Sequence, residues 1–458
     1  VRQALAQVVR KEGDNMALSR FIDEVPRYWL RTLGDDASFV GTFIAPNMQW
    51  LSDYQQLLSS QGAKVSDNLV QQVSQRLRWE ALTEFGLRSR IGRTLERSAV
   101  AVIQPDPMAL SECARTLRQA WQEELGQLSA LQAGQVQTFL LGFLQRLRQG
   151  GGFYDPVLEG YVREGGTTFL LKRIPWLPGY GFSARPPAAL TLAPISNSFQ
   201  NLVGNGSQWF FHWFNKTVGS ADTFFASAEY EQAMHILLNV LKKGQWLTEL
   251  NVRQDSVWLL KTERWQVVTS VAVFACACCG SRQTIALQQQ TDWMRMPCLQ
   301  VNCKGYYQPV NSGQQSQLAY RTQPKRLITS EHTGLLEGKE RLAIEQSFIY
   351  GDKAWDVNLL SATPTLEMGI DIGDLSAVLL CSVPPAQANY LQRIGRAGRS
   401  NGNALALTIA NGNNHDNYFY NEPLEMIAGD VSTPGIFLNA MAVLERQLIA
   451  YCFDRWVA

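Results

Sequence analysis

The spacing of apolar residues changes period along this chain, and the changes mark its parts. Val136, Phe139, Leu140, Phe143, Leu144 and Leu147 recur at i, i+3, i+4, i+7, i+8 and i+11, the signature of one buried helical face. They predict a helix over Gln135–Arg148. Residues 1–150 read as mainly helical, and Pro105 and Pro107 divide them into two helical groups. Gly150, Gly151 and Gly152 end the region. Phe153–Val218 is rich in glycine, proline and aromatics, and Pro175, Pro178, Pro186, Pro187 and Pro194 forbid long helices there. Ala228–Lys243 predicts a helix with Ala233, Ile236, Leu237, Val240 and Leu241 on one face. Trp246–Val252, the turn Arg253–Asp255 and Val257–Leu260 then predict a β-hairpin. Helix followed by hairpin suits the end of a winged-helix DNA-binding module and equally a plain α+β connection.

Past the polar linker Asn311–Gln317, short apolar runs alternate with helical ones. Strands are expected at Arg326–Ser330, Val357–Leu360, Ala377–Val383 and Ala404–Ile409. Helices are expected at Leu336–Tyr350, with Ala343, Ile344 and Phe348 inward, and at Ala386–Arg396, with Ala388, Leu391 and Ile394 apolar. This order predicts a parallel α/β sheet, whose ligands bind at the carboxyl ends of its strands. Asn411–Asn421 reads as a polar surface loop despite His415 and Asp416, and Met426–Trp456 as largely helical. The expected organisation is a helical region (1–150), a mixed α/β linker with a possible winged-helix segment (151–265), a four-cysteine module (266–310), the parallel α/β domain (311–425) and the start of a helical region (426–458).

Composition narrows the class. The 458 residues are 46% apolar and 18% charged, as in globular proteins, with a net charge of +1. That balance excludes a broadly cationic surface but leaves room for a local basic groove. No apolar run reaches membrane-span length and no signal peptide is visible, so no membrane partner is expected. The eight cysteines are clustered rather than spread as a disulfide framework, which suits a reducing, cytoplasmic setting.

Cys276 and Cys279 form a C-x2-C-G knuckle, and Cys298 and Cys303 a C-x4-C pair. Four thiolates at tetrahedral reach suit Zn2+ in a closed structural site. Buried free thiols and an iron–sulfur cluster are the competing readings, and Cys278 is a spare that can replace a neighbour. Two further clusters carry chemistry. Arg88–Arg97 holds four arginines in ten residues, suited to strand phosphates or to a charged helix face pairing with Glu84 and Glu96. Trp209, Phe210, Phe211, Trp213 and Phe214 can stack bases, or more ordinarily pack a core or seam.

The most informative stretch is Ser361–Ser400. It begins with Thr363-Pro-Thr-Leu-Glu-Met-Gly-Ile-Asp-Ile372 and ends with Gln392-Arg-Ile-Gly-Arg-Ala-Gly-Arg399. Gly369 permits close backbone approach, and Asp371 can accept from a ribose hydroxyl. Arg396 and Arg399, three apart, project from one face if helical and can clamp a polyphosphate. Isolated arginines would more simply be a solvated face.

In this order the two motifs resemble motifs V and VI of superfamily 2 helicases, and Glu331–Arg341 onward resembles the segment that precedes motif V. The resemblance spans Arg326–Asn411 and implies a second RecA-like domain. It implies that Arg396 and Arg399 contact phosphate, that Gly369, Asp371 and Gln392 serve the nucleotide and its coupling to the strand, and that Thr333, Gly334 and Thr363 touch nucleic-acid backbone.

Two departures qualify it. No G-x-x-x-x-G-K-[ST] loop and no Asp-Glu-x-His or Asp-Glu-x-Asp run occurs, and Asp23-Glu24 is followed by Val25-Pro26. The resemblance therefore implies a first RecA-like domain, with the Mg2+ site and catalytic carboxylate, in an N-terminal helicase half of the same polypeptide or in a partner chain. The strand and helix of motif IV are also missing, and the cysteine segment stands in their place, so the fold of Val268–Lys325 stays open. The chain resembles the large cysteine-rich bacterial helicases of genome maintenance and anti-phage defence, including Druantia-type helicase subunits. The expected function is the C-terminal part of a DNA helicase or translocase using ATP and Mg2+, with Zn2+ as a structural ion. Expected partners are DNA, single-stranded during translocation, and defence-system subunits. The alternative is a nucleic-acid-binding or scaffolding protein that kept one RecA-like domain without ATP turnover.

Overall fold

Local capping sets the helices of the first part. Asp106 accepts a hydrogen bond from the Ala109 N–H at 2.8 Å and Pro107 occupies the first helical position, so Pro107–Glu124 begins where the proline-rich pattern breaks. Ser66 caps Asp67–Phe85 through the Leu69 N–H. The helix predicted from the apolar stripe runs from Ala133 to Gln149 and buries all six of the stripe residues. Gly142 on that helix is a packing device: a Cβ there would lie 2.1 Å from the Trp213 ring.

The computed structural model describes the chain except residues 13–14, 60–64, 165, 179–188, 193–198, 205–207, 220–226, 253–254, 312–325, 365–371, 374, 400–401, 429–439 and 458. It divides into one unit of Val1–Arg326 with Lys353–Trp355, and a second of Leu327–Asp352 with Asp356–Ala458.

In the first unit the helical segment, the mixed segment and the cysteine segment share one hydrophobic core, which runs from Ala4 through Phe139, Phe214 and Trp265 to Tyr307. Among the described residues, three small sheets sit around it. Trp265–Val268 pairs antiparallel with Met16–Ala17 and with Val102–Pro105, so a strand lies inside the segment expected to be helical. The predicted hairpin is present as Leu247–Val252 and Asp255–Lys261, preceded by the helix Ser227–Lys243. It belongs to a mixed five-stranded sheet, because Asp255–Lys261 also pairs parallel with Phe153–Tyr154 and antiparallel with Leu190. Val271–Cys276 is the centre of an antiparallel sheet between Arg282–Ala286 and Tyr307–Val310.

One buried ion pair ties these pieces together. Arg148, with no exposed surface, donates to both carboxylate oxygens of Glu96 at 2.7 and 2.9 Å, to the Phe85 carbonyl at 3.1 Å and to Gln145 at 3.0 Å. The Glu96 carbonyl accepts from Thr284 at 2.6 Å, and Gln145 donates to Gln283 at 3.2 Å, both on the cysteine sheet.

The second unit is parallel α/β. Thr329–His332 pairs in parallel with Leu359–Ala362, and Ala377–Leu380 with Leu405–Thr408. Among the described residues these are two separate two-stranded sheets. The helix Gly338–Tyr350 buries no residue fully; Ile344 and Phe348 are half-buried and Ala343 is exposed. The helix expected to reach Arg396 ends at Ile394, and Tyr390 rather than Leu391 is its buried residue. Asn414–Asn421, expected as a loop, is helical because Asn413 caps it through the Asp416 N–H at 2.8 Å. No described helix is long and apolar enough to cross a membrane.

Replacing Arg148 by Met should destabilise the first unit by about 3–5 kcal/mol, because Glu96 is left buried and unpaired. Replacing Glu96 by Leu in the same chain should recover part of the loss. Urea unfolding of the two variants checks this, and equal midpoints for wild type and Arg148→Met would contradict it.

Candidate functional site

Candidate residues lie in each unit. In the first, the sulfurs of Cys276, Cys279, Cys298 and Cys303 all lie within 4.8 Å of one another. Cys276 and Cys303 are 3.5 Å apart, and Cys279 and Cys298 3.6 Å. A tetrahedral ion with metal–sulfur bonds of about 2.3 Å sets its sulfurs about 3.8 Å apart, so the four fit one metal ion. Cys278 stays outside the four and exposed.

The sheet brings them together. Cys276 ends the central strand, and Gly280, at φ +68°, turns the chain back with its N–H on the Cys276 carbonyl. On the other side, Cys298 donates its N–H to Gly305 at 2.9 Å, which closes the second knuckle. The N–H groups of Cys278, Gln300 and Gly305 each point at the sulfur two residues earlier, at 3.4 Å. Burial pushes the Cys298 thiol up to about 12, while the Gly305 N–H draws Cys303 down to about 6. Lys216, on the helix Gln208–Thr217, donates to the carbonyls of Cys298 at 2.6 Å and Cys303 at 2.7 Å. The aromatic pattern of that helix hid this lysine from sequence reasoning.

In the second unit, His332 and Ala362 are paired neighbours at the ends of parallel strands. Thr333 and Thr363 follow them directly, and the Thr363 N–H reaches the His332 carbonyl at 3.4 Å. Thr333 is half-buried, and Gly334 and Thr363 are exposed at this carboxyl edge. Gly369 and Asp371 lie outside the described residues.

Arg396 and Arg399 do not share a helical face. They sit in the turn after Gly395 caps the helix, with Gly398 at φ +73°. That turn is tied down: Gly398 donates to the Leu375 carbonyl at 2.9 Å, and Ala397 bridges Leu375 in parallel. The Arg399 Nε donates to the Gly395 carbonyl at 2.9 Å. Arg396 is half-buried, and Arg399 and Gln392 are exposed. The pair His415–Asp416 is structural. Asp416 is buried and accepts from the N–H of Asn411 at 2.7 Å and of Val383 at 3.4 Å, which holds its carboxyl below the usual range. His415 meets the Pro384 carbonyl at 3.0 Å. Asn413, three residues before Asp416, is the cap signal for this helix in the sequence.

Of the Arg88–Arg97 run, Arg88 pairs with Glu80. The segment is a series of turns rather than a helix, and Glu84 and Glu96 pair instead with Arg2 and Arg148.

Residues 310–401 match the model of the helicase conserved C-terminal domain. The chain is 32% identical over 136 residues to Druantia protein DruE of Escherichia coli (strain UMEA 4076-1), covering 27% of this chain and 7% of that protein. It is 28% identical over 146 residues to ATP-dependent DNA helicase Q4 of Mus musculus, covering 32% of this chain and 10% of that protein. Among solved structures, DUF1998 helicase MrfA bound to DNA and AMPPNP shares 28% identity over 26% of this chain and 16% of its own, with a TM-score of 0.24. The likeness to the C-terminal half of superfamily 2 helicases thus rests on the family match and on helicase relatives of which the chain spans a tenth or less.

Gly305 limits the cysteine centre sterically, since a Cβ there would lie 2.6 Å from the Cys276 sulfur. Gly305→Ala should cost on the order of 1–3 kcal/mol through overpacking, read as a lower urea midpoint, whereas Gly280→Asn, with nothing within 4 Å of its Cβ and an asparagine-tolerant φ, should cost less.

Proposed function

We propose that this chain is the C-terminal part of an ATP-dependent superfamily 2 DNA helicase or translocase, and that it supplies the arginine-bearing wall of the ATP cleft. The observation that carries the reading is the turn Gly395–Arg399. It holds two guanidinium-bearing residues, is anchored to Leu375, and lies within the stretch that matches the helicase domain. ATP supplies the transferable phosphoryl group, with Mg2+ held by a first RecA-like domain that would complete the cleft. In this reading Arg396 and Arg399 neutralise charge that develops on the phosphates, a role worth roughly 10³–10⁵ in rate. Gly369, Asp371 and Gln392 couple nucleotide state to the strand. Thr333, Gly334 and Thr363 touch the DNA backbone from the carboxyl edge of the parallel strands, single-stranded during translocation. The likeness to Druantia protein DruE supports a setting in anti-phage defence with partner subunits. The four cysteines would hold one Zn2+ as a brace. A closed set of four protein ligands leaves no position for substrate, and clustered thiols suit a reducing cytoplasm.

Two outcomes are expected. Elemental analysis should find about one zinc per chain, and Cys298→Ser should abolish it and lower the melting temperature, since metal-binding energy is folding energy in small modules. Iron with visible absorbance, or no metal, would contradict the assignment. In protein that also contains the first RecA-like domain, Arg396→Ala or Arg399→Ala should cut DNA-stimulated ATP turnover by orders of magnitude while DNA affinity and melting temperature hold, and Arg→Lys should not rescue. Turnover within about tenfold of wild type, a barrier change of roughly 1.4 kcal/mol, would favour a strand-binding scaffold without ATP turnover.

A further inference from the structure

Beside the cysteine centre, wholly within the first unit, a cavity of about 700 Å³ is lined by Arg90, Arg146, Trp209 and His212, and by side-chain amides including Gln149 and Gln300. Its described lining holds no Asp or Glu. The neighbouring arginines of this region are neutralised, Arg88 by Glu80 and Arg148 by Glu96. Arg90 and Arg146 make no ion pair among the described residues. Arg146 is held by a ring instead: its guanidinium lies 5.3 Å over Trp209. That indole is itself immobilised, stacked on Trp213 at 5.5 Å and donating from Nε1 to the Leu299 carbonyl at 2.8 Å. A guanidinium stacked on an aromatic face keeps its full charge and its in-plane N–H donors.

Two cations, Arg90 and Arg146, share this cavity. Burial and then the Arg90 charge pull Arg146 below its ordinary value. Cys279 and Cys303 also line this cavity, and Lys216 is hydrogen-bonded to the carbonyls of Cys298 and Cys303. Neither guanidinium has a carboxylate partner among the described residues, and a planar ring lies beside one of them, a lining suited to an anion joined to a planar group.

We propose that this cavity docks single-stranded DNA: a backbone phosphate sits between Arg90 and Arg146, and an adjacent base lies against the Arg146–Trp209 stack, with the amides of Gln149 and Gln300 within the same cavity to meet base edges. Arginine planes and aromatic faces are the surfaces on which unpaired bases stack, and basic grooves track the backbone between them. The site lies outside the helicase-matched residues 310–401, so it adds a second strand contact to the motor. It rests on the reading of the chain as a DNA-acting protein.

The test is fluorescence anisotropy of a labelled oligodeoxythymidine with the 458-residue chain at several salt concentrations. Arg90→Ala and Arg146→Ala should each weaken binding several-fold and lower the slope of log K against log salt by about 0.7, the loss of one single-strand phosphate contact. Arg90 is exposed, so its variant should melt with wild type. Wild-type binding that both variants reproduce, in affinity and slope, overturns the cavity proposal and leaves the helicase reading intact. Arginine-dependent displacement of the oligonucleotide by millimolar ATP also overturns it, in favour of a mononucleotide pocket. No wild-type binding even at low salt overturns both. If the cavity variants behave as expected while the Arg396 and Arg399 variants keep full turnover, the cavity stands and the motor assignment falls.

Discussion

The first unit depends on a fully buried guanidinium. Arg148 meets Glu96 through two parallel hydrogen bonds, the strong bidentate arrangement, and directs two further donors to Phe85 and Gln145. Burying two charges is costly, and only near-complete pairing offsets the loss of water. What the pair contributes is position. Phe85 ends one helix, Glu96 lies in the turns that follow, Gln145 lies on another helix, and Thr284 and Gln283 lie on the cysteine sheet. A single charged centre sets the register of segments nearly two hundred residues apart in sequence, as the Thr284–Glu96 bond shows with a separation of 188.

That register makes the cysteine module part of a larger body. Its Tyr307 and Trp293 belong to the same core as Phe139 and Phe214. The helix Gln208–Thr217 does two things at once. It wedges Trp213 against Gly142, with the Trp213 Nε1 on the Phe139 carbonyl at 2.9 Å, and it sends Lys216 to the backbone that carries Cys298 and Cys303. The aromatic group is therefore mostly core, and only its rim at Trp209 reaches the cavity. Metal binding at the four sulfurs would brace the wall of that cavity as well as the sheet.

The second unit is organised differently. Its small core of Leu380, Val383, Tyr390 and Met426 holds the helix that leads into the arginine turn, and Asp416 ties the Val383 and Asn411 ends of two connections to one carboxylate. Backbone bonds to Leu375 then aim the turn itself. These hydrogen bonds help to place Arg396 and Arg399, while the flanking strands leave Leu379, Leu405 and Leu407 exposed.

Residue periodicity and motif spacing alone determined much of this. The apolar stripe of Ala133–Gln149, the hairpin after Ser227–Lys243, the four-cysteine pairing and the parallel character of the strands past residue 326 were legible, because each is set by neighbours within a few residues or by a repeating step. The helicase-like stretch was legible as an ordered pair of motifs. Tertiary structure decided the rest. Gly395 and Gly398 end the helix early and move the arginines onto a turn, which a three-residue spacing cannot reveal. The partners of Glu84 and Glu96 are distant arginines, not the local run. Long-range pairing of buried charge is invisible to local pattern, because any arginine can satisfy any glutamate until the core has formed around one choice.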